Sequence, residues 1–134
     1  MKKTILTLTL LILPCLIHAQ ESFTEQSRLE WYSIEKAQEL ARDNNKKVLI
    51  FGDALWCGYC KRMKNEVYPD SGVINVIEKY FYPVLLNSES DKVVSFNEVE
   101  VSETDLARAF RMRGTPTHYF VSSDGQVLGQ QPGF

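Results

Sequence analysis

Two thiols stand three residues apart in Trp56-Cys57-Gly58-Tyr59-Cys60-Lys61. Were a helix to start here, positions i and i+3 would lie one above the other, about 5–6 Å apart. A disulfide tolerates Cα separations of roughly 4.4–6.8 Å. The pair can therefore open and close with little backbone movement, as reversible dithiol–disulfide exchange requires. Two other uses of a C-x-x-C pair remain. A structural staple closing so small a loop stabilises little by chain entropy, and stapled exported domains usually carry more cysteines at wider spacings. A closed zinc site needs four N or S ligands. Cys57, Cys60 and His118 supply three, so another chain would have to add one.

The only other cysteine, Cys15, lies in an N-terminal stretch that reads as a signal peptide over residues 1–19. Lys2 and Lys3 form its charged start, Ile5 to Leu13 its apolar centre, and Ile17-His18-Ala19 its cleavage site. That apolar run is shorter than the ~20 residues of a spanning helix, which argues against an uncleaved anchor. Pro14 stands before Cys15 where a lipoprotein signal has a small residue, which argues against lipidation. Export to a periplasm places Cys57 and Cys60 where a disulfide persists. The chain has 134 residues, enough for one domain. Losing Lys2 and Lys3 from 15 basic residues, against 17 acidic, leaves a net charge of −4. That balance argues against a nucleic-acid partner held by charge.

Positioning the thiols requires a strand before them and a helix after. Val48-Leu49-Ile50-Phe51 is an unbroken apolar run, as in a strand buried on both faces. A helix is expected from Cys57 to Val67, stopped by Pro69. Upstream, residues 20–30 read as a flexible lead-in and Leu29–Tyr32 as a short edge strand. Ser33 caps a helix with Ile34, Ala37, Leu40 and Ala41 on one face. Downstream, Asp70 or Ser71 caps a helix presenting Val73, Ile74, Ile77 and Phe81. Tyr82–Leu86 is the next strand, with Pro83 expected at its start, where a missing donor costs least. Residues 88–101 are polar with β-prone pieces, fitting a small hairpin. Ser102 and Asp105 open another helix, with Leu106, Ala109 and Phe110 buried. Thr117–Val121, a Ser123-Asp124-Gly125 turn and Gln126–Leu128 form a hairpin. Alternating β and α elements ending in a hairpin predict an α/β fold: a central mixed sheet flanked by helices.

With Trp56–Lys61 and Arg113-Gly114-Thr115-Pro116-Thr117 at this separation, residues 31–134 resemble the thioredoxin superfamily. The nearest resemblance is to exported thioredoxin-like proteins of the SoxW and thiol:disulfide interchange type. It implies a redox disulfide between Cys57 and Cys60, with no cofactor. Cys57, at the helix N-terminus, would be the nucleophile, its thiolate stabilised by free N–H groups. Cys60, one turn inside, would resolve the mixed disulfide. It also implies a cis bond before Pro116 and a Thr115 backbone that pairs with an extended substrate segment. Trp56 and Tyr59 would offer an apolar rim and Gly58 room for substrate backbone. The implied function is reduction of protein disulfides by a monomer, with a membrane thiol reductase as electron donor. Isomerase or oxidase activity of the same fold, or a redox-inactive or metal-handling binding module, are the alternatives.

Two features depart from the family, and a third residue, His118, has two readings. Thioredoxins carry a buried Asp six residues before the first cysteine, where this chain has Phe51; water, Asp53 or Glu66 are the candidate proton acceptors for Cys60. Asp53 is expected beyond the strand end and more exposed. His118 shares a strand face with Pro116, so it either approaches the cysteines or packs as an ordinary strand histidine. Finally, the chain stops near Gln130–Phe134, where the family's last helix would begin, so the domain is expected to be C-terminally truncated.

Overall fold

The computed structural model describes residues 28–134. The expected leader at 1–19, Cys15 within it, and the lead-in as far as residue 27 lie outside the described residues. Leu29 is buried with the core. The edge strand expected over Leu29–Tyr32 contracts to a single parallel bridge, Tyr32 to Val84. The Tyr32 N–H donates to the Pro83 carbonyl at 2.9 Å.

Helix α1 (Ile34–Asn44) starts at Ser33, whose hydroxyl accepts from the Lys36 N–H, and ends at Asn45 in the left-handed region. Both ends satisfy helix N–H or C=O groups that would otherwise lack partners. Ile34, Ala37 and Ala41 face inward, as the periodicity predicts. Strand β1 (Lys47–Asp53) follows and is buried from Val48 to Gly52. It lies at the centre of a sheet ordered β2-β1-β5-β6. β2 (Phe81–Asn87) runs parallel to it, while β5 (Thr117–Val121) and then β6 (Val127–Pro132) are antiparallel. Pro83 sits third in β2 and opposite Leu49, rather than at the strand's start. β2 is the sheet's edge apart from the Tyr32 bridge, so a missing N–H is tolerated there.

Alternation along β1 divides the core. Val48 and Ile50 face α1 and α4 (Glu103–Ala109), packing with Val84, Leu86, Leu106 and Tyr119. Leu49 and Phe51 face the other side, with Cys57, Cys60, Tyr68, Ile74, Ile77 and Leu29. Each large side chain so buried contributes roughly 1.5–3 kcal/mol. The second layer is α2 (Gly58–Arg62), a π turn over Met63–Val67, and α3 (Ser71–Tyr80), capped by Asp70. The hairpin of β3 (Val93–Phe96) and β4 (Val99–Ser102) forms a separate two-stranded sheet. Its turn residues Asn97 and Glu98 have φ of 52° and 66°. Asn97 ties it down, exchanging hydrogen bonds with Gln38 of α1 and donating to the Gly125 carbonyl. Ser102 caps α4, its hydroxyl accepting the Asp105 N–H and donating to the Asp105 carboxylate.

β6 runs further than the expected Gln126–Leu128. Gln130, Gln131 and Pro132 continue the ladder against Tyr119, His118 and Thr117. The pairing shifts at Phe120/Val121, where Leu128 bulges between Val127 and Gly129. Among the described residues no helix follows β6.

Candidate active site

Cys57 is the N-cap of α2. It lies in extended backbone, and its Sγ accepts the Cys60 N–H at 3.1 Å. The preceding turn closes through the Cys57 N–H and the Ala54 carbonyl, 3.0 Å. Cys57 and Cys60 form a disulfide with their Cα atoms 5.2 Å apart, within the separation the i, i+3 spacing predicts. Cys60 is fully buried. Cys57 is only 3 % accessible in this oxidised form. Its sulfur is bonded to Cys60, and the residue packs in the same cluster as Ala54. The asymmetry between the two cysteines therefore lies in their places on the helix. Cys57 stands at the end, where N–H groups are free to stabilise a thiolate; Cys60 stands one turn in.

The Thr115–Pro116 peptide bond is cis. Among the described residues neither the N–H nor the carbonyl of Thr115 makes a hydrogen bond, and its Oγ1 is buried without a partner. The Thr117 hydroxyl donates to the Gly114 carbonyl at 2.7 Å, and the Gly133 N–H donates to the Pro116 carbonyl at 2.9 Å. The loop is thus braced on either side of Thr115.

Trp56 is 70 % exposed. Its indole N–H donates to Glu89 Oε1 at 2.8 Å. This excludes a core role and holds the ring over a cleft that Thr115 also lines. A Cβ at Gly58 would touch nothing within 4 Å, so no neighbour within the chain requires glycine there. Tyr59 is exposed, 5.9 Å from the Phe134 ring, and the Arg62 guanidinium lies over that ring at 4.4 Å.

Behind the disulfide, Phe51 is fully buried and meets Trp31, Tyr68 and His118 at ring separations of 6.3, 5.3 and 5.0 Å. His118 packs in the sheet, directly opposite Phe51 in the β1–β5 register. Its Nε2 lies 2.6 Å from the Tyr68 hydroxyl. Burial, reinforced by the charge of Asp53, pushes the Tyr68 hydroxyl up, so it stays protonated and donates. Burial pulls His118 down, opposed by the nearby Gln131 backbone, so the ring is neutral and accepts. Asp53, expected beyond the strand and exposed, is instead the last residue of β1 with its side chain 14 % accessible, paired with Lys64 at 2.5 Å. Glu66 is turned to the opposite use, a solvent-exposed two-point pair with Arg62. Of the two carboxylates, only Asp53 is largely buried. Among the described residues no group of three or more His, Cys, Asp or Glu is placed to hold a metal.

Glu89 and Tyr68 were not anticipated. Glu89 is 33 residues from Trp56 and Tyr68 is 50 from His118. No local pattern in the sequence joins these pairs.

A family model described as a thioredoxin-like domain matches residues 34–134. The chain is 26 % identical over 99 residues to a protein disulfide-isomerase of Hordeum vulgare, covering 74 % of this chain and 17 % of that protein. It is 27 % identical over 71 residues to an uncharacterized protein of Archaeoglobus fulgidus, covering 52 % of this chain and 56 % of that one. The match therefore spans little more than half of one relative and about a sixth of the other. Among solved structures, a thioredoxin from Thermus thermophilus superposes with a TM-score of 0.63 at 27 % identity, covering 78 % of this chain and 75 % of that chain.

Proposed function

Because the chain belongs to the thioredoxin-like domain family, matched over residues 34–134, we propose that it is a thiol:disulfide oxidoreductase that reduces protein disulfides through Cys57 and Cys60. The observation that carries this reading is the cysteine pair at the start of α2. The Cys60 N–H already points at Cys57 Sγ, so the same donor is in place for a thiolate.

In the dithiol form, the Cys57 thiolate attacks a substrate disulfide. One S–S bond breaks, one forms to Cys57, and the first substrate thiolate leaves. Cys60 then loses its proton and attacks Cys57 Sγ. The internal disulfide re-forms and the second substrate thiol is released. The substrate is reduced by two electrons and the protein oxidised by two. Thr115 supplies the unengaged backbone against which an extended substrate segment adds as a strand, and Trp56 and Tyr59 flank it. We place this cycle in a periplasm, reached through the leader at 1–19, with electrons returned by a membrane thiol reductase. N-terminal sequencing of the exported protein tests the leader; a start at Gln20 is the expected result.

The decisive experiment is insulin reduction in the presence of dithiothreitol. The protein should accelerate precipitation of the insulin B chain, and Cys57→Ser should not. No acceleration by the native protein sinks the reading and leaves a redox-inactive binding module. The likeness to a protein disulfide-isomerase favours a second reading, isomerase or oxidase. The potential of the Cys57–Cys60 couple separates them: near about −270 mV for a reductase, toward about −120 mV for an oxidant.

A further inference from the structure

On the far side of Thr115 from Trp56, the loop after α4 and strands β5 and β6 enclose a depression of about 330 Å³. Arg111 and Arg113 line it, with Thr115, Tyr119 and Gln130. Neither arginine makes an ion pair or a side-chain hydrogen bond among the described residues, and both are exposed. The Thr115 and Tyr119 hydroxyls are both buried without a partner, and Tyr119 as a whole is 1 % accessible. Arg111 has a φ of 55°, so the chain turns sharply as it enters this loop.

The chemistry of the lining is one-sided. Two guanidiniums can donate, and no carboxylate lines the depression. The cleft on the Trp56 side of Thr115, which Arg113 also lines, differs, since Glu89 and Asp91 line it. An electropositive rim of unpaired donors is complementary to an oxyanion, and guanidinium forks suit carboxylates in particular.

We propose that Arg111 and Arg113, on the rim of this depression beside Thr115, form a carboxylate subsite that selects disulfide substrates carrying an acidic residue close to the reacting cysteine. This rests on the oxidoreductase reading, since Thr115 is where that reading seats the substrate. The arginines act on the substrate and not on the sulfur chemistry.

The test uses the full dithiol protein and short peptides whose single cysteine is carried as a mixed disulfide with thionitrobenzoate. Attack by Cys57 on the peptide sulfur releases coloured thionitrobenzoate, and Cys60 then releases the peptide thiol. Two series place Glu, Gln or Lys two residues before or two residues after the cysteine, all with amidated C-termini. A further Gln peptide ends in a free carboxylate directly after the cysteine, separating a chain terminus from a side chain. At low salt, Glu should react about two- to fivefold faster than Lys in at least one series, with the spread shrinking in high salt. The spread should collapse in the Arg111→Gln/Arg113→Gln variant. Equal rates for Glu and Lys in both series, or a spread that survives in the variant, overturns the subsite. A parallel titration of the oxidised protein with serine-for-cysteine peptides, followed by chemical shifts of Thr115 and Tyr119, reads the same preference without sulfur chemistry. If no peptide releases thionitrobenzoate, the oxidoreductase reading fails, and this titration alone decides the subsite. Tighter binding of the Glu than the Lys peptide supports it; equal binding overturns it.

Discussion

The Tyr68 hydroxyl lies 2.6 Å from His118 Nε2, joining the end of the cysteine-bearing helical segment to the strand that follows Pro116. Tyr68 is buried and His118 half-buried, and the Phe51 ring packs against each of them. Where thioredoxins place a carboxylate, this chain places an aromatic ring, with a neutral Tyr–His pair beside it.

That pair makes stability pH-dependent. Burial holds the folded pKa of His118 below its unfolded value, which is about 6.5. As pH falls through that value, the unfolded chain takes up a proton that the folded chain resists. Stability therefore declines from about pH 6.5 down to the folded pKa and the loss levels off below it. Urea midpoints of the native protein should drop across this window more steeply than those of Tyr68→Phe/His118→Leu. Parallel pH profiles for the two proteins would remove His118 as the cause.

Cys57 should carry the lowered thiol pKa of the pair. Its sulfur accepts the Cys60 N–H and it caps α2. In reduced protein, the pH dependence of alkylation should place Cys57 at least about one unit below the ordinary 8.5. Cys60→Ser should accumulate a mixed disulfide with a protein substrate, visible on a non-reducing gel, and Cys57→Ser should not. A Cys57 that titrates near 8.5 would count against nucleophilic catalysis.

Trp56 is expected to matter for substrate and hardly at all for folding. At 70 % exposure, its truncation to Ala should change stability by no more than about 0.5 kcal/mol. The KM for a protein disulfide should rise severalfold. Glu89→Ala frees the indole N–H and should reproduce part of the KM effect with kcat unaltered. A large loss of stability in Trp56→Ala would return the ring to the core and remove it from the substrate rim.

Gly52 couples the core to the loop before Pro116. A Cβ there would overlap the Met112 methyl group, approach its Sδ to 2.8 Å, and meet the Thr117 carbonyl at 3.2 Å. Met112 is flexible, but it directly precedes Arg113, and the Thr117 carbonyl is fixed in β5. Gly52→Ala should cost about 1–3 kcal/mol, as overpacking does, and should also slow substrate reduction by displacing the loop. Chemical denaturation and insulin turnover measure both effects. Gly52→Ala with native stability would show that Met112 simply moves aside.

Much of this was legible along the chain because it is local. Ser33, Asp70 and Ser102 announce helix starts, since a cap needs only the next three residues. The unbroken run Val48–Phe51 marks a strand covered on both faces. The spacing of Cys57 and Cys60 sets their reach for one another without reference to any other element. The short strand expected over Leu29–Tyr32 failed because a strand needs a partner along its length, and only Val84 is in register. The residues alone end the hairpin at Leu128, since Gln130–Pro132 carry no strand-forming pattern. Their backbone pairing with Thr117–Tyr119 leaves no trace in residue type.

The sequence by itself determined the chemistry: which thiols pair and which end of the helix they occupy, while the loop that faces them was implied by the resemblance of Arg113–Thr117 to a family motif. It could do so because capping, periodicity and i, i+3 reach act over a few residues. Only the tertiary structure decided the surroundings of that chemistry. Glu89 reaches Trp56, Tyr68 reaches His118, Lys64 pairs with Asp53, and Arg111 and Arg113 gather beside two unpartnered hydroxyls. Those relationships depend on how strands are ordered and which sheet face each side chain takes. Both are settled by packing between segments distant in the chain.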